Sequence, residues 1–174
     1  LEFFGHPDTR LLDGGYNAWA KAGLPVTRHA PRPKPTDWKG TRDDGILAGW
    51  RDVNERLGKP DAVIVDTRSD GEYCGTTIRA ARGGAVPGAI HLEWTNNLGP
   101  DGAFKSQDDL RKMYEHAGIT PDREVVTYCQ GGYRAAHSYL ALRLIGYPRV
   151  RNYLGSWKEW GDRVDLPIEH PDKP

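Results

Sequence analysis

Cysteine is nearly missing from this sequence, which has two among 174 residues, Cys74 and Cys129. Two cysteines build no disulfide framework and are too few for a structural zinc site made of thiolates alone. A reduced thiol in a reducing compartment, the cytoplasm, is the simpler expectation. Long hydrophobic runs are missing as well. No stretch approaches the roughly 18 uncharged apolar residues of a membrane-spanning helix, so no membrane is expected as a partner. Nor does one sign of charge dominate. Lysine plus arginine and aspartate plus glutamate number 24 each. The basic surplus of nucleic-acid and anionic-membrane binders is therefore absent. The chain does not open on methionine, and no signal peptide is apparent at residue 1. The hydrophobic fraction of 37% supplies one ordinary core, in a length that suits one domain with additions.

Glycine, proline and tryptophan are well represented, and their spacing reveals a repeat. A displacement of 141 positions carries Gly5 onto Gly146, Pro7 onto Pro148, Gly14 onto Gly155 and Trp19 onto Trp160. Leu1, Phe3 and Phe4 fall on Leu142, Leu144 and Ile145. With one more residue inserted, Leu24-Pro25-Val26 falls on Leu166-Pro167-Ile168. Residues 1–28 thus read as the C-terminal remnant of an earlier copy of a domain, most of which lies outside this sequence. That missing portion is expected to pack against this chain. Residues 29–44, with Pro31, Pro33 and Pro35 in alternation, read as an extended linker, which Trp38 pins back onto a domain. Residues 45–174 read as a complete copy, and any chemistry must come from it.

In that copy strand and helix patterns alternate. Ile46-Leu47 is a short apolar start, and 50–57 has helical spacing ended by Gly58. Ala62 to Val65 is a continuous apolar run, as expected of a strand buried on both faces. A helical turn is predicted at 70–73, a turn entering a strand at 86–91, and a helix over 107–117 capped by Ser106. A second buried strand covers 125–128. A long helix covers 132–144, with Ala136, Tyr139, Leu140 and Leu144 on its apolar side. A strand at 150–153 and a short helix at 156–160 follow. This alternation predicts an α/β fold, a parallel sheet with helices on both faces. Ligands in such folds bind beyond the carboxyl ends of the strands. Two loops qualify: Asp66-Thr67-Arg68, and Cys129-Gln130-Gly131-Gly132-Tyr133-Arg134.

Cys129 stands between a strand and a helix, followed by a loop with two adjacent glycines. Glycine lets the backbone curl until several N–H groups face one point, and the helix N-terminus adds positive potential there. A thiol so placed is favoured as the thiolate, which is the nucleophile. Arg134, one turn into the helix, adds charge and donors. The expected site is an open ring of amides around an accessible sulfur on Cys129. Asp66 and Arg68 are expected to brace the loop, and Arg68, Arg79 and Arg82 to line the mouth and attract an anion. Cys74 reads as a spectator. His91, His116 and His137 have no metal-ligand spacing, so neither metal nor cofactor is expected. Trp157 and Trp160 read as packing residues.

These motifs resemble the rhodanese family of sulfurtransferases, in its tandem two-domain form with an active second domain. The Cys129–Arg134 loop resembles the family's C-x-x-G-x-R/T/S active-site loop. Asp66-Thr67-Arg68 resembles its D-x-R element, and Glu72-Tyr73-Cys74-Gly75 its E-Y-x-G element. Residues 82–89 resemble R-x-G-H-I-P-G-A, with Ala85 where the family often has histidine. Leu12 to Trp19 resembles the L-x-G-G-x-x-x-W closing signature. Four residues separate Cys129 from Arg134, one fewer than in the related phosphatases, a smaller ring that favours a single sulfur atom. The resemblance implies a thiosulfate sulfurtransferase that carries sulfur as a persulfide on Cys129 and passes it to cyanide or another thiophilic acceptor. Gln130-Gly131 matches neither the Arg-Lys pair of animal thiosulfate enzymes nor the Gly-Ser pair of mercaptopyruvate enzymes. A 3-mercaptopyruvate sulfurtransferase, or a sulfur-carrier or interaction domain with little turnover, are the alternatives.

Overall fold

A computed structural model describes residues 1–172. Five short strands form one wholly parallel sheet: β1 (Leu47–Ala48), β2 (Ala62–Asp66), β3 (Ile90–His91), β4 (Glu124–Tyr128) and β5 (Val150–Tyr153). Their order is β1-β5-β4-β2-β3. The helices are α1 (Gly15–Lys21), α2 (Trp50–Glu55), α3 (Asp70–Tyr73), α4 (Gln107–His116), α5 (Tyr133–Leu144) and α6 (Ser156–Asp162). The expected parallel α/β architecture is therefore present.

β2 is buried along its whole length, as its unbroken apolar run requires. Alternate residues of β2 and β4 feed two cores. Val63, Val65 and Val125 join Leu110, Tyr114, Leu142 and Ile145 on one face. Ile64, Val126 and Tyr128 join Val53, Tyr153, Trp157 and Trp160 on the other. Each fully buried aliphatic side chain contributes roughly 1.5–3 kcal/mol. The chain leaves β2 toward β3 at one edge, then returns to place β4 and β5 on the opposite side. The strand order thus reverses between β2 and β4, and in sheets of this kind the region beyond their carboxyl ends is where ligands bind.

One element packs differently from the sequence reading. On α5 the side against the sheet is formed by Ala135, Ser138, Tyr139, Ala141 and Leu142. Ala136 and Leu144 are exposed and Leu140 is half-buried. The helix carries apolar residues on two sides, so spacing alone picked the outer one. Tyr139, which the spacing grouped with the outer side, is instead buried in the core, and its hydroxyl reaches out to donate to Glu2 of the N-terminal segment at 2.9 Å.

The N-terminal segment repeats local geometry found at the far end of the chain. α1 and α6 begin and end 141 positions apart. Gly5 and Gly146 both take positive φ, 71° and 87°. His6 N–H reaches Leu1 O at 3.2 Å, and Tyr147 N–H reaches Leu142 O at 3.1 Å. Trp19 donates to Pro25 O at 2.9 Å, and Trp160 to Pro167 O at 2.8 Å. The counterpart of β5, Thr9 to Leu12, is coil, since a strand needs a neighbour for its ladder. Neither Glu2–Phe4 nor α1 contains a buried residue, whereas α6 buries Trp157 and Trp160. Trp38 of the proline-rich stretch lies beside the His6 ring, at 5.2 Å between centroids.

Candidate active site

The loop after β4 takes its shape from one glycine and one helix. Gly132 sits at φ 89° as the N-cap of α5. A Cβ there would lie 2.7 Å from Leu154 Cδ1 and 3.0 Å from Leu154 O, so only glycine fits. The turn brings the Gly132 N–H back to Cys129 Sγ at 3.1 Å. α6 grips the loop from the other side. Cys129 N–H donates to Ser156 Oγ at 3.1 Å. Trp157 N–H donates to Cys129 O at 2.9 Å, and Lys158 N–H to Gln130 O at 3.0 Å. With these carbonyls held by α6, the N–H groups of Gln130, Gly131, Tyr133 and Arg134 have no protein acceptor among the described residues. Unpaired donors at the start of a 12-residue helix make an anion-binding turn.

Arg134 forks onto Glu72, Nη1 to Oε2 at 2.7 Å and Nη2 to Oε1 at 2.8 Å. Ser69 donates to the same carboxylate through its hydroxyl at 2.9 Å and its N–H at 3.2 Å. Burial alone would raise the Glu72 pKa. The hydrogen bonds from Arg134 and Ser69 outweigh it and hold the carboxyl at about 2. Arg134 is held above its ordinary value, first by its hydrogen bond to Glu72 and in smaller part by Cys129 beside it. The cation is thus fixed beside the sulfur and largely neutralised by its partner.

Below the loop lies a buried brace. Arg68 Nη2 meets Asp66 Oδ2 at 2.5 Å, with both side chains at most 1% exposed. Tyr128 donates its hydroxyl to Asp66 at 2.6 Å and accepts the Val86 N–H at 3.1 Å. Thr67 donates both N–H and hydroxyl to Tyr128 O, each at 3.0 Å. The Arg68 guanidinium stacks on Trp157 at 4.5 Å and donates to Gly84 O at 2.8 Å. This network joins the ends of β2 and β4, next to Cys129.

The structure places the expected residues as follows. Cys129 is 1% exposed, so the thiol is covered rather than open. Its immediate partners are polar, however: the Gly132 N–H, Arg134 and the α6 N-terminus. Gln130 donates to Arg79 O at 2.8 Å, which ties the stretch around Arg79 to the loop after β4. Gly131 and Gly132 form the turn, while the Tyr133 side chain is 86% exposed and points away from the fold. Arg68 does not line a mouth, because the Asp66 pair and the indole of Trp157 enclose it. Arg82 does not either. Its guanidinium donates to carbonyls of Trp160, Gly161, Arg163 and Leu166 at the end of α6. Of the three arginines expected at the mouth, Arg79 is the exposed one (60%), with Nε 3.5 Å from Glu72. Trp157 packs in the core, as read from sequence. Cys74 is half-buried at the end of α3. His137 packs between Phe104 and Trp94. Among the described residues no cluster of histidine, cysteine and acidic side chains can hold a metal ion. Among the described residues no helix is long and apolar enough to cross a membrane.

Two residues of the site were given no role in the sequence reading, Glu72 standing there only within the E-Y-x-G resemblance. Glu72 had a signal, since Ser69-Asp70-Gly71-Glu72 is the S-x-x-E capping pattern that orients a glutamate at a helix start. Ser156 had none, since its importance lies in a backbone angle and a contact across 27 positions.

A parallel sheet with a cysteine-centred turn above its central strands defines a class of α/β proteins. Residues 50–163 match the rhodanese-like domain, and the chain belongs to that family. It is 40% identical over 169 residues to a thiosulfate sulfurtransferase of Pseudomonas aeruginosa, covering 97% of this chain and 62% of that protein. It is also 40% identical over 181 residues to the sulfur carrier protein TtuD of Thermus thermophilus, covering 97% of this chain and 64% of that protein. The chain thus spans under two thirds of these relatives. Among solved structures it resembles the anaerobic ergothioneine biosynthesis enzyme of Chlorobium limicola in complex with trimethyl histidine. That match has a TM-score of 0.88 at 27% identity, covering 96% of this chain and 42% of the other. An EanB variant holding ergothioneine linked to a persulfide cysteine matches with a TM-score of 0.85 at 26% identity, covering 97% and 42%.

Proposed function

We propose that this chain carries the catalytic domain of a thiosulfate sulfurtransferase working through Cys129. The Cys129 thiolate attacks the outer sulfur of thiosulfate. The S–S bond of the donor breaks, sulfite leaves with its electron pair, and a persulfide remains on Cys129. Cyanide or a thiolate then attacks the terminal sulfur, carries it away, and restores the thiolate. This is covalent catalysis with ping-pong kinetics and needs no metal or organic cofactor. The observation that carries the reading is the Gly132 N–H at 3.1 Å from Sγ, in a turn whose other amides are unpaired. Those amides stabilise the anionic terminal sulfur as an oxyanion hole stabilises oxygen. Arg134, locked by Glu72, keeps a cation at the same point. Arg79 draws the anionic donor, and the Gln130 contact to its carbonyl parts to admit it. A reducing compartment such as the cytoplasm suits the free thiol.

We also propose the domain division: 1–28 as the remnant of a first rhodanese unit, 29–44 as linker and 45–174 as the catalytic unit. The matched helices and the paired Trp19 and Trp160 hydrogen bonds support it. So do the exposed Leu1, Phe4, Leu11 and Leu12, a face that the rest of such a unit would cover.

A thiosulfate:cyanide assay beside Cys129→Ser tests the function. The wild type should form thiocyanate and the variant should not, with unchanged unfolding. Thiocyanate formation by Cys129→Ser would overturn the assignment. A faster reaction with 3-mercaptopyruvate would change the donor. A carrier would gain one sulfur in intact mass after thiosulfate treatment yet turn over little with cyanide.

A further inference from the structure

Ser156 is the one non-glycine residue at positive φ among the described residues, at 53°. L side chains disfavour this conformation, and strain of this kind survives where the surroundings demand it. The repeat supplies an internal comparison. At the same position, the first residue of α1, stands Gly15, with φ 59°. Glycine satisfies the turn there, while the catalytic copy keeps a strained, fully buried serine. The hydroxyl does not cap its own helix, since the N-cap of α6 is Gly155. It turns back instead, donating to Tyr153 O at 2.7 Å and accepting the Cys129 N–H at 3.1 Å. The next residue, Trp157, holds the Cys129 carbonyl. Both peptide groups of Cys129 are therefore anchored on one turn whose direction Ser156 determines.

We propose that Ser156 is a positioning residue for the nucleophile. Its hydroxyl fixes the peptide entering Cys129, so that Sγ stays against the Gly132 N–H and under the amides of the turn. The proposal rests on the sulfur-transfer reading, and it explains why a strained serine stands where glycine suffices for the backbone. Ser156 touches neither donor nor acceptor, so it acts on kcat and leaves donor binding alone. A displacement of about 1 Å at a reacting atom lowers rates by on the order of 100-fold.

The experiment compares wild type, Ser156→Gly and Ser156→Ala in thiosulfate:cyanide turnover, thermal unfolding and Cys129 alkylation by iodoacetamide. Ser156→Gly also orphans the Cys129 N–H, but it relieves the strained backbone, and the two effects offset each other in stability. It should melt close to wild type, while kcat falls at least about tenfold and the KM for thiosulfate stays within about twofold. The alkylation rate of the folded protein should change along with kcat. Ser156→Ala keeps the strain and orphans the Cys129 N–H, so it should lose both kcat and melting temperature. Wild-type kcat and alkylation in Ser156→Gly would overturn the proposal. So would a loss of activity no larger than the unfolded fraction explains. An inactive wild type would instead refute the sulfur-transfer reading, and alkylation would still test Ser156.

Discussion

Glu72 links the stability of the fold to the geometry of the site, so its replacement tests both. Its side chain is 1% exposed, yet four hydrogen bonds from Arg134 and Ser69 hold its carboxyl at about 2, down from 4.5. At roughly 1.4 kcal/mol per pH unit, that depression corresponds to about 3 kcal/mol of stability. The sign follows from the direction. A carboxyl with a lowered folded pKa stabilises the protein fully above its unfolded value of 4.5, and this is lost as the pH falls from 4.5 toward 2. Glu72→Gln keeps the shape and removes the charge. Urea unfolding at pH 7 should show the variant about 3 kcal/mol less stable than wild type. The gap should narrow at pH 4, narrow further at pH 3 and close near pH 2. Because other carboxyls titrate equally in both proteins, the difference isolates Glu72. A gap that is absent at pH 7, or that stays constant down to pH 2, would refute the argument that the ion pair overcomes burial.

Three further substitutions follow from the geometry. Gly132→Ala forces a Cβ against Leu154 at φ 89°, and should cost about 1–3 kcal/mol in denaturant unfolding while lowering sulfur transfer; unchanged stability would show that the turn tolerates a side chain. Arg68→Met leaves the Asp66 charge buried and unpaired, and should cost about 3–5 kcal/mol, most of it recovered in Arg68→Met with Asp66→Asn; additive losses in that double-mutant cycle would deny the coupling. Arg79→Ala should raise the KM for thiosulfate with little change in kcat, and added salt should affect it less than wild type; an unchanged KM would remove Arg79 from donor capture.

The sequence by itself determined the sheet and the location of the site. Unbroken apolar runs rich in β-branched residues, such as Ala62–Val65, favour strands buried on both faces, and a strand–Cys–Gly-Gly–helix order then places Cys129 at a carboxyl end. These readings need contacts along the chain alone. The spacing shared by the two ends of the chain was legible for the same reason, since glycine and tryptophan positions record local turns such as those at Gly5 and Gly146. Tertiary structure decided the rest. Arg68, Arg79 and Arg82 look alike in sequence, but one is buried on Asp66, one faces solvent and one caps α6, because their partners come from distant segments. The outward apolar side of α5, the closure over Cys129 and the grip of Ser156 arise likewise, where separate segments meet. Periodicity reports which residues share a side of an element. It does not report what that side meets, and charge neutralisation, burial and strain all depend on what it meets.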